Sequence, residues 1–292
     1  QVAVFAEVRR ILRDDGLCWV NIGDNTVRKQ LQGQPWRLAF VLQKSGWYLR
    51  MDNLWIKNNP HPEPLSRKRP TTAHEYVFML SKTSSYFYDA FGSLEQSNAN
   101  RRSAWKFGVG GAGDEDHYAA FPDALPKICI ELSTSQHGCC EVCGAQFERK
   151  LELTEVGKSK QGGWFDKEDR ASEKSGAGRH YVRGQHNNIT WAPADQLRRF
   201  VGWQRPCDHR GFGIAPAVVF DPYAGVGTTG KVALSLGRSF VGIELDPKSA
   251  RKARKNLAVG QSLGGRVSMT DLIAKAQGNY MDELERTLFG VK

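Results

Sequence analysis

Residues 217–230, Ala-Val-Val-Phe-Asp-Pro-Tyr-Ala-Gly-Val-Gly-Thr-Thr-Gly, constrain this chain more than any other stretch. A short apolar run rich in β-branched residues ends at Asp221. A glycine-rich turn then leads into the helical pattern Lys231-Val232-Ala233-Leu234-Ser235-Leu236, which Gly237 stops. The pattern predicts strand, loop and helix. Glycines in such a turn let the backbone approach a ligand closely, and the first N–H groups of the new helix face whatever polar group is bound there. A second apolar run, Phe240-Val241-Gly242-Ile243, ends in Glu244-Leu245-Asp246. An acid at the tip of the neighbouring strand is placed to accept hydrogen bonds from both hydroxyls of a ribose, so the two runs together outline a nucleoside-cofactor site.

Two cofactors compete for that outline. Gly225, Gly227 and Gly230 spell GxGxxG, and Glu244 lies nineteen residues past the first of them, as a dinucleotide such as NAD would require. However, Asp221-Pro222-Tyr223-Ala224 separates the strand from the first glycine, and the turn holds no Arg or Lys to neutralise a pyrophosphate. An acid in that position suits a cationic ligand. S-adenosylmethionine carries an ammonium, a sulfonium and a ribose but no phosphate, and is preferred over NAD; a purely structural glycine turn is the third reading.

Asp-Pro-Tyr-Ala-Gly-Val-Gly-Thr-Thr-Gly followed by Val-Gly-Ile-Glu-Leu-Asp-Pro resembles the cofactor-binding motifs of amino-group DNA methyltransferases, N6-adenine or N4-cytosine specific, and the permuted (beta) class most of all. The resemblance implies an α/β, Rossmann-like fold that uses S-adenosylmethionine. Its mixed sheet would carry an antiparallel edge hairpin and a circularly permuted motif order, with the catalytic half first, target recognition next and the cofactor half last. Asp221 would then hold the methionine amino end and Glu244 the ribose. Pro222, Tyr223, Gly225, Gly227, Thr228, Thr229 and Asp246 would complete the site, and His117-Tyr-Ala119-Ala-Phe121-Pro122 resembles the family's His-x-x-x-x-Pro element that lines the methionine end. Chain order agrees independently. After Glu244 the sequence offers helical patterns at 250–257 and 271–288 and no clear strand, so the rest of the sheet is expected from upstream.

Of the 292 residues, 40% are hydrophobic and 25% charged, the composition of a globular chain long enough for one large or two small domains. No apolar run approaches the ~20 residues of a membrane span and no signal-peptide pattern opens the chain, so a cytoplasmic protein is expected. Lys and Arg exceed Asp and Glu by 41 to 31, which suits a polyanion such as double-stranded DNA as well as a basic solvated surface. The first residue is Gln and lies inside a helical pattern of Val4, Phe5, Val8, Ile11 and Leu12, so the chain is expected to be a piece of a longer one. Residues 17–22 read as a buried strand, Pro35 opens a helix that Gly46 stops, and strands follow at 47–57 and 74–81 around a polar, proline-rich stretch at 58–72. Tyr86-Phe87-Tyr88 is expected to extend the second of these, and 98–116 reads as a loop.

The runs RRILRDDGLCWVNIGD, GWYLRMDNLWIKNNPHPEP and HEYVFMLSKTSSYFYD also resemble the methyltransferase class. Trp55 and Lys57 fall near a strand end where that family forms the target-base pocket, so base stacking and a phosphate contact are expected of them, with ordinary core packing as the alternative. Arg67, Lys68 and Arg69 are expected to reach DNA phosphates from the 58–72 loop. The family's catalytic motif, Asp, Asn or Ser before Pro-Pro-aromatic, accepts both N–H bonds of the target amino group and stacks on the flipped base. These 292 residues contain no Pro-Pro pair, so no catalytic residue is assigned.

Cys140-Glu-Val-Cys143-Gly is a C-x2-C knuckle, and Cys207-Asp-His209 supplies two further ligands about sixty residues later. The set suits a structural, tetrahedral zinc ion, with Cys139 as a substitute for Cys140. Residues 151–200, with seven basic residues from Lys158 to Arg183 and little apolar periodicity, read as an insertion that is either a solvated excursion or a DNA-contacting arm. The expected division is 1–92 (catalytic-side half), 93–137 (loop and cofactor-lining helix), 138–210 (zinc-knuckle insertion) and 211–292 (cofactor half and C-terminal helices). A site-specific DNA methyltransferase, with a restriction enzyme as possible partner, is the expected function. Its rival is a non-catalytic DNA-binding or cofactor-sensing module of the same fold.

Overall fold

The computed structural model describes residues 2–94, 100–109, 121–154, 198–261 and 267–269. Two sheets carry the fold. The first is built on β1 (Leu17–Ile22), β4 (Tyr48–Lys57), β5 (His74–Ser81) and β6 (Ala104–Phe107), in the order β1-β5-β4-β6. The hairpin of β4 and β5 is antiparallel, β1 runs antiparallel to β5, and β6 lies parallel to β4, so the sheet is mixed. Both faces of β5 are covered, Phe78 and Leu80 on one side and Val77 on the other, which is why Val77-Phe78-Met79-Leu80 reads as an unbroken apolar run.

One face of this sheet buries Phe5 and Val8 of α1 (Val2–Ile11) and Ala39 and Leu42 of α2 (Gln34–Lys44) against Val20, Phe78 and Leu80. Ile11, expected on the same face of α1, is exposed. The other face packs Trp55, Val77 and Trp105 against Leu125, Ile128 and Cys129 of α3 (Ala124–Ser133). The next residue of α3, Ile130, belongs to a third cluster with Val232, Leu234, Phe240 and Leu257. This one helix therefore serves two cores.

That third cluster belongs to the second sheet. It is parallel, in the order β11-β12-β13: Val218–Asp221, Ser239–Gly242 and Val267–Met269. The helices α4 (Thr228–Ser235) and α5 (Pro247–Gln261) follow the first two strands. A Cβ on Gly230 of α4 would sit 2.6 Å from the Leu257 side chain and the Phe240 ring, both fully buried, so this glycine answers a packing need. Gly230→Ala is expected to lower stability by about 1–3 kcal/mol, read as a shifted midpoint in urea unfolding. An unchanged midpoint would mean that helix and sheet re-space without cost.

Several expectations change. The single expected sheet is two ladders, because β1 and β11 exchange no backbone bonds, although Phe220 of β11 packs against the core beside β1. Tyr86–Tyr88 do not extend β5; the chain bends after Ser81, and Phe87 N–H is bound by Asp15 C=O at 2.8 Å. The loop at 98–116 contains β6, and the region after Glu244 contains β13. The edges of the 151–200 insertion form a hairpin of β8 (Glu148–Leu153) with β9 (Arg198–Gln204). A small hairpin, β2 (Thr26–Val27) with β3 (Gln30–Leu31), follows β1, and β7 (Cys139–Cys140) pairs with β10 (Ile214–Ala215). The helical pattern at 271–288 lies outside the described residues.

Candidate functional site

The turn after β11 is held by its own acids. Asp221 accepts from Tyr223 N–H (2.9 Å) through one oxygen and from the Thr229 hydroxyl (2.7 Å) through the other. Glu244, just past β12, accepts from Gly225 N–H (2.7 Å) and Asp246 N–H (2.8 Å). The ladder runs on past the strand ends, with Ala224 N–H to Ile243 C=O and Ile243 N–H to Asp221 C=O, both 2.9 Å. The two strand tips are thereby fixed side by side. Gly225 (φ 53°) and Gly227 (φ 86°) adopt left-handed backbone that a side chain disfavours. A Cβ on Gly225 would meet only Tyr223 C=O, at 4.0 Å, so the space beside it is open.

The electrostatics of this cradle favour a cation. Burial pushes the Asp221 carboxyl above the usual carboxylate range against the bonds from Thr229 and Tyr223, and the nearby Glu244 charge pushes it the same way. Neither acid has a cationic partner among the described residues. Each carboxylate oxygen keeps lone pairs beyond its single backbone or hydroxyl donor, so ligand hydroxyls and an ammonium group can still be bound.

Of the other expected cofactor residues, Pro222 is partly buried and Tyr223 is 57% exposed. Thr228 opens α4, and Gly227 precedes it with no side-chain cap. Asp246 caps α5 instead, accepting from Ser249 N–H (2.8 Å) and Oγ (2.7 Å), bonds that hold its carboxyl below the usual range. Phe121 packs against the Trp55 and Trp105 cluster, and the start of α3 just after Pro122 is tied to α4 by the Asp123–Lys231 pair at 2.6 Å. His117 and Ala119 lie outside the described residues. Sequence reasoning missed Lys231 and Asn256, whose amide donates to Val226 C=O at 2.9 Å and braces the turn from α5.

Cys140, Cys143, Cys207 and His209 converge, with their ligand atoms all within 4.8 Å of one another. His209 Nδ1 is buried without a hydrogen-bond partner, which a metal bond would satisfy. Backbone N–H groups of Cys143 and Val142 hold the Cys140 thiol down to about 6, favouring the thiolate that a metal requires. Arg205 donates to Cys140 Sγ (3.3 Å), His209 C=O (2.7 Å) and Phe212 C=O (2.9 Å), bracing both halves of the cluster. Cys140, not Cys139, is the knuckle cysteine that joins this group; burial pushes the Cys139 thiol up to about 11. The cluster lies where β8 and β9 leave the body, and Arg149 of β8 clamps buried Asp89 at 2.8–2.9 Å.

The expected DNA contacts divide. Trp55 is 3% exposed, stacked on Phe107 (5.6 Å, 19°) and bonded through its indole N–H to Phe107 C=O. That corrects its expected role: it is core, covered by β6. Lys57 pairs with Glu75 at 2.6 Å, while Arg67 and Arg69 both pair with Glu63, at 3.3 and 2.9 Å. Lys68 is exposed and has no partner among the described residues.

A family profile described as DNA methylase, for N6 and N4 methyltransferases, matches residues 1–140 and 215–255. The Type II methyltransferase M.XycI of Xanthomonas campestris pv. cyanopsidis is 40% identical over an alignment of 169 positions that covers 46% of this chain and 55% of the relative. M.SmaI of Serratia marcescens is 37% identical over 172 positions, covering 47% and 58%. The chain thus spans little more than half the length of these curated relatives. Among solved structures, the cytosine-N4-specific PvuII DNA methyltransferase matches 92% of this chain and 77% of its own at 15% identity and a TM-score of 0.54. M1.HpyAVI, solved as a complex with SAM, matches 88% and 82% at 14% identity and a TM-score of 0.50. At these identities the likeness is one of fold, an α/β Rossmann-like methyltransferase fold.

Proposed function

Because the chain belongs to the DNA methylase family of N6 and N4 methyltransferases, we propose that it serves methyl transfer from S-adenosylmethionine to an exocyclic amino group of adenine or cytosine in double-stranded DNA. The observation that carries this reading is the pair of acids, Asp221 and Glu244, set around an open glycine turn with no cation to balance them. Bound there, the cofactor supplies a methyl group on a positively charged sulfur. Asp221 holds its amino end, Glu244 its ribose hydroxyls, and Phe121 and Pro122 close the side that α3 brings up. The groups that accept from the target amine are not among those assigned, since no Pro-Pro pair occurs.

We assign the Cys140, Cys143, Cys207 and His209 cluster to a structural zinc ion, because thiolate and imidazole donors in a closed set of four match its preferences. Its task is to fasten the β8–β9 hairpin to the body. A cytoplasmic location is part of the same reading. Nucleoside mass spectrometry of duplex DNA incubated with the protein and methyl-labelled S-adenosylmethionine tests the function. Label is expected in N6-methyladenine or N4-methylcytosine. Cofactor binding without label in either base would leave the non-catalytic binding module.

Binding should also depend on pH in a defined direction. Since the Asp221 carboxyl is raised in the fold, its protonation stabilises the empty protein; that contribution is full below the ordinary carboxylate pKa and is lost as pH rises through the raised value. An ammonium ligand needs the carboxylate, so cofactor affinity should weaken as pH falls through the same range. Calorimetry with S-adenosylhomocysteine across that range checks it, and affinity that strengthens as pH falls would exclude Asp221 as the ammonium partner.

A further inference from the structure

Three non-glycine residues have left-handed backbone among the described residues: Arg28 (φ 49°), Lys29 (φ 66°) and Lys68 (φ 52°). All three are basic and exposed, and none has an ion-pair or hydrogen-bond partner for its side chain among the described residues. Side chains with a β-carbon disfavour this conformation, and glycine or asparagine is the usual occupant. Here the surrounding bonds impose it. Asp24 accepts from Asn25 N–H (2.9 Å), Gly33 N–H (2.8 Å) and Gln34 N–H (3.1 Å), and Gln32 N–H meets Asn25 C=O at 3.0 Å, so the β2–β3 hairpin is closed at its base. Arg28 and Lys29 form its two-residue tip.

Strand register brings this tip and the 58–72 loop to one end of the four-stranded sheet. Ile22, the last residue of β1, pairs with Tyr76, while Ile56 near the end of β4 pairs with His74 at the start of β5. Just past β1, a Cβ on Gly23 would lie 3.4 Å from Glu75, the partner of Lys57. Lys57 is paired with Glu75, and Arg67 and Arg69 share the one carboxylate of Glu63, so acids offset most of their charge, while Arg28, Lys29 and Lys68 have no such partner among the described residues.

We infer that Arg28 and Lys29 form a backbone-phosphate clamp on duplex DNA, acting with Lys68 across the same end of the sheet. The inference rests on DNA being the substrate. A closed hairpin that holds two cations in disfavoured backbone presents them at little further backbone ordering cost when they meet a phosphate.

The test is a DNA-binding titration over a range of salt concentrations with the variant Arg28→Asn/Lys29→Gly, which removes both charges but supplies the residues this turn geometry favours. Each lost phosphate contact should make the slope of log affinity against log salt shallower by about 0.9, hence by about 1.8 for the pair. Arg10→Ala, on α1 and paired with Glu7, should leave the slope unchanged. If the double variant keeps the parent slope, the clamp is overturned while the DNA reading stands. If the parent itself shows no salt-dependent binding to duplex DNA, the DNA reading fails and takes the clamp with it.

Discussion

Cys207→Ala, or removal of the metal by a chelator, is expected to release the β8–β9 hairpin while leaving the cofactor turn folded. A two-stranded hairpin is marginal by itself. This one is held at its base by the four-ligand cluster and higher up by Arg149 against Asp89 and by the stack of His137 on Trp203 (5.3 Å, 11°). Structural zinc contributes about 10–16 kcal/mol in isolated zinc modules, so even ~3 kcal/mol of local stabilisation lost lowers amide protection roughly a hundredfold. Hydrogen exchange should show that drop at 148–153 and 198–204, with 218–245 little changed. Elemental analysis of protein purified without chelator should find one zinc per chain. Stoichiometric absence of metal, or hairpin protection that survives chelation, would remove the zinc assignment.

Asp221→Ala and Glu244→Ala should each weaken S-adenosylhomocysteine binding by about 1.5–3 kcal/mol, the scale of a hydrogen bond to a charged group. The two losses should have different origins. Glu244 also joins the turn to the second strand tip through Gly225 and Asp246, so its removal should loosen the turn as well as lose the ribose contact. Asp221 carries the burial cost of its own charge, which offsets the bonds it accepts from Tyr223 and Thr229, so Asp221→Ala should change the stability of the empty protein less than Glu244→Ala does while affinity falls. Thermal unfolding without ligand separates the two cases. Full affinity in both variants would move the cofactor elsewhere.

The strand–turn–helix around the glycines was legible in the sequence because everything it needs is local: an apolar run, an acid, glycines and a helical pattern within about twenty residues. The β4–β5 hairpin was legible for the same reason. Strands whose identity depends on a distant partner were not. Glu148–Leu153 does alternate in burial, but its partner lies beyond a long basic segment, and the alternation of Leu151 and Leu153 with charged residues was the only clue. The β2–β3 hairpin was hidden because Arg28-Lys29 stands where Asn-Gly would announce such a turn. Trp55 shows how one missed element misplaces another. It looked available to a base only while β6 went unread, and β6 both pairs with it and brings Phe107 over its ring. The residues that brace the site, Asn256, Lys231 with Asp123, and Arg205, act through tertiary contacts that no spacing in the sequence announces.

One titration bears most directly on the claim that this glycine turn and its two acids bind a cationic nucleoside: calorimetry of the protein with S-adenosylhomocysteine and, separately, with NAD. Both ligands bring a ribose for Glu244, but only the first brings an ammonium group for Asp221, and only the second brings a pyrophosphate to a turn that has two carboxylates and no basic side chain. The account predicts one site for S-adenosylhomocysteine, lost in the Asp221→Ala/Glu244→Ala double variant, and no measurable heat with NAD. Saturable binding of NAD at one site, with none of S-adenosylhomocysteine, would contradict it.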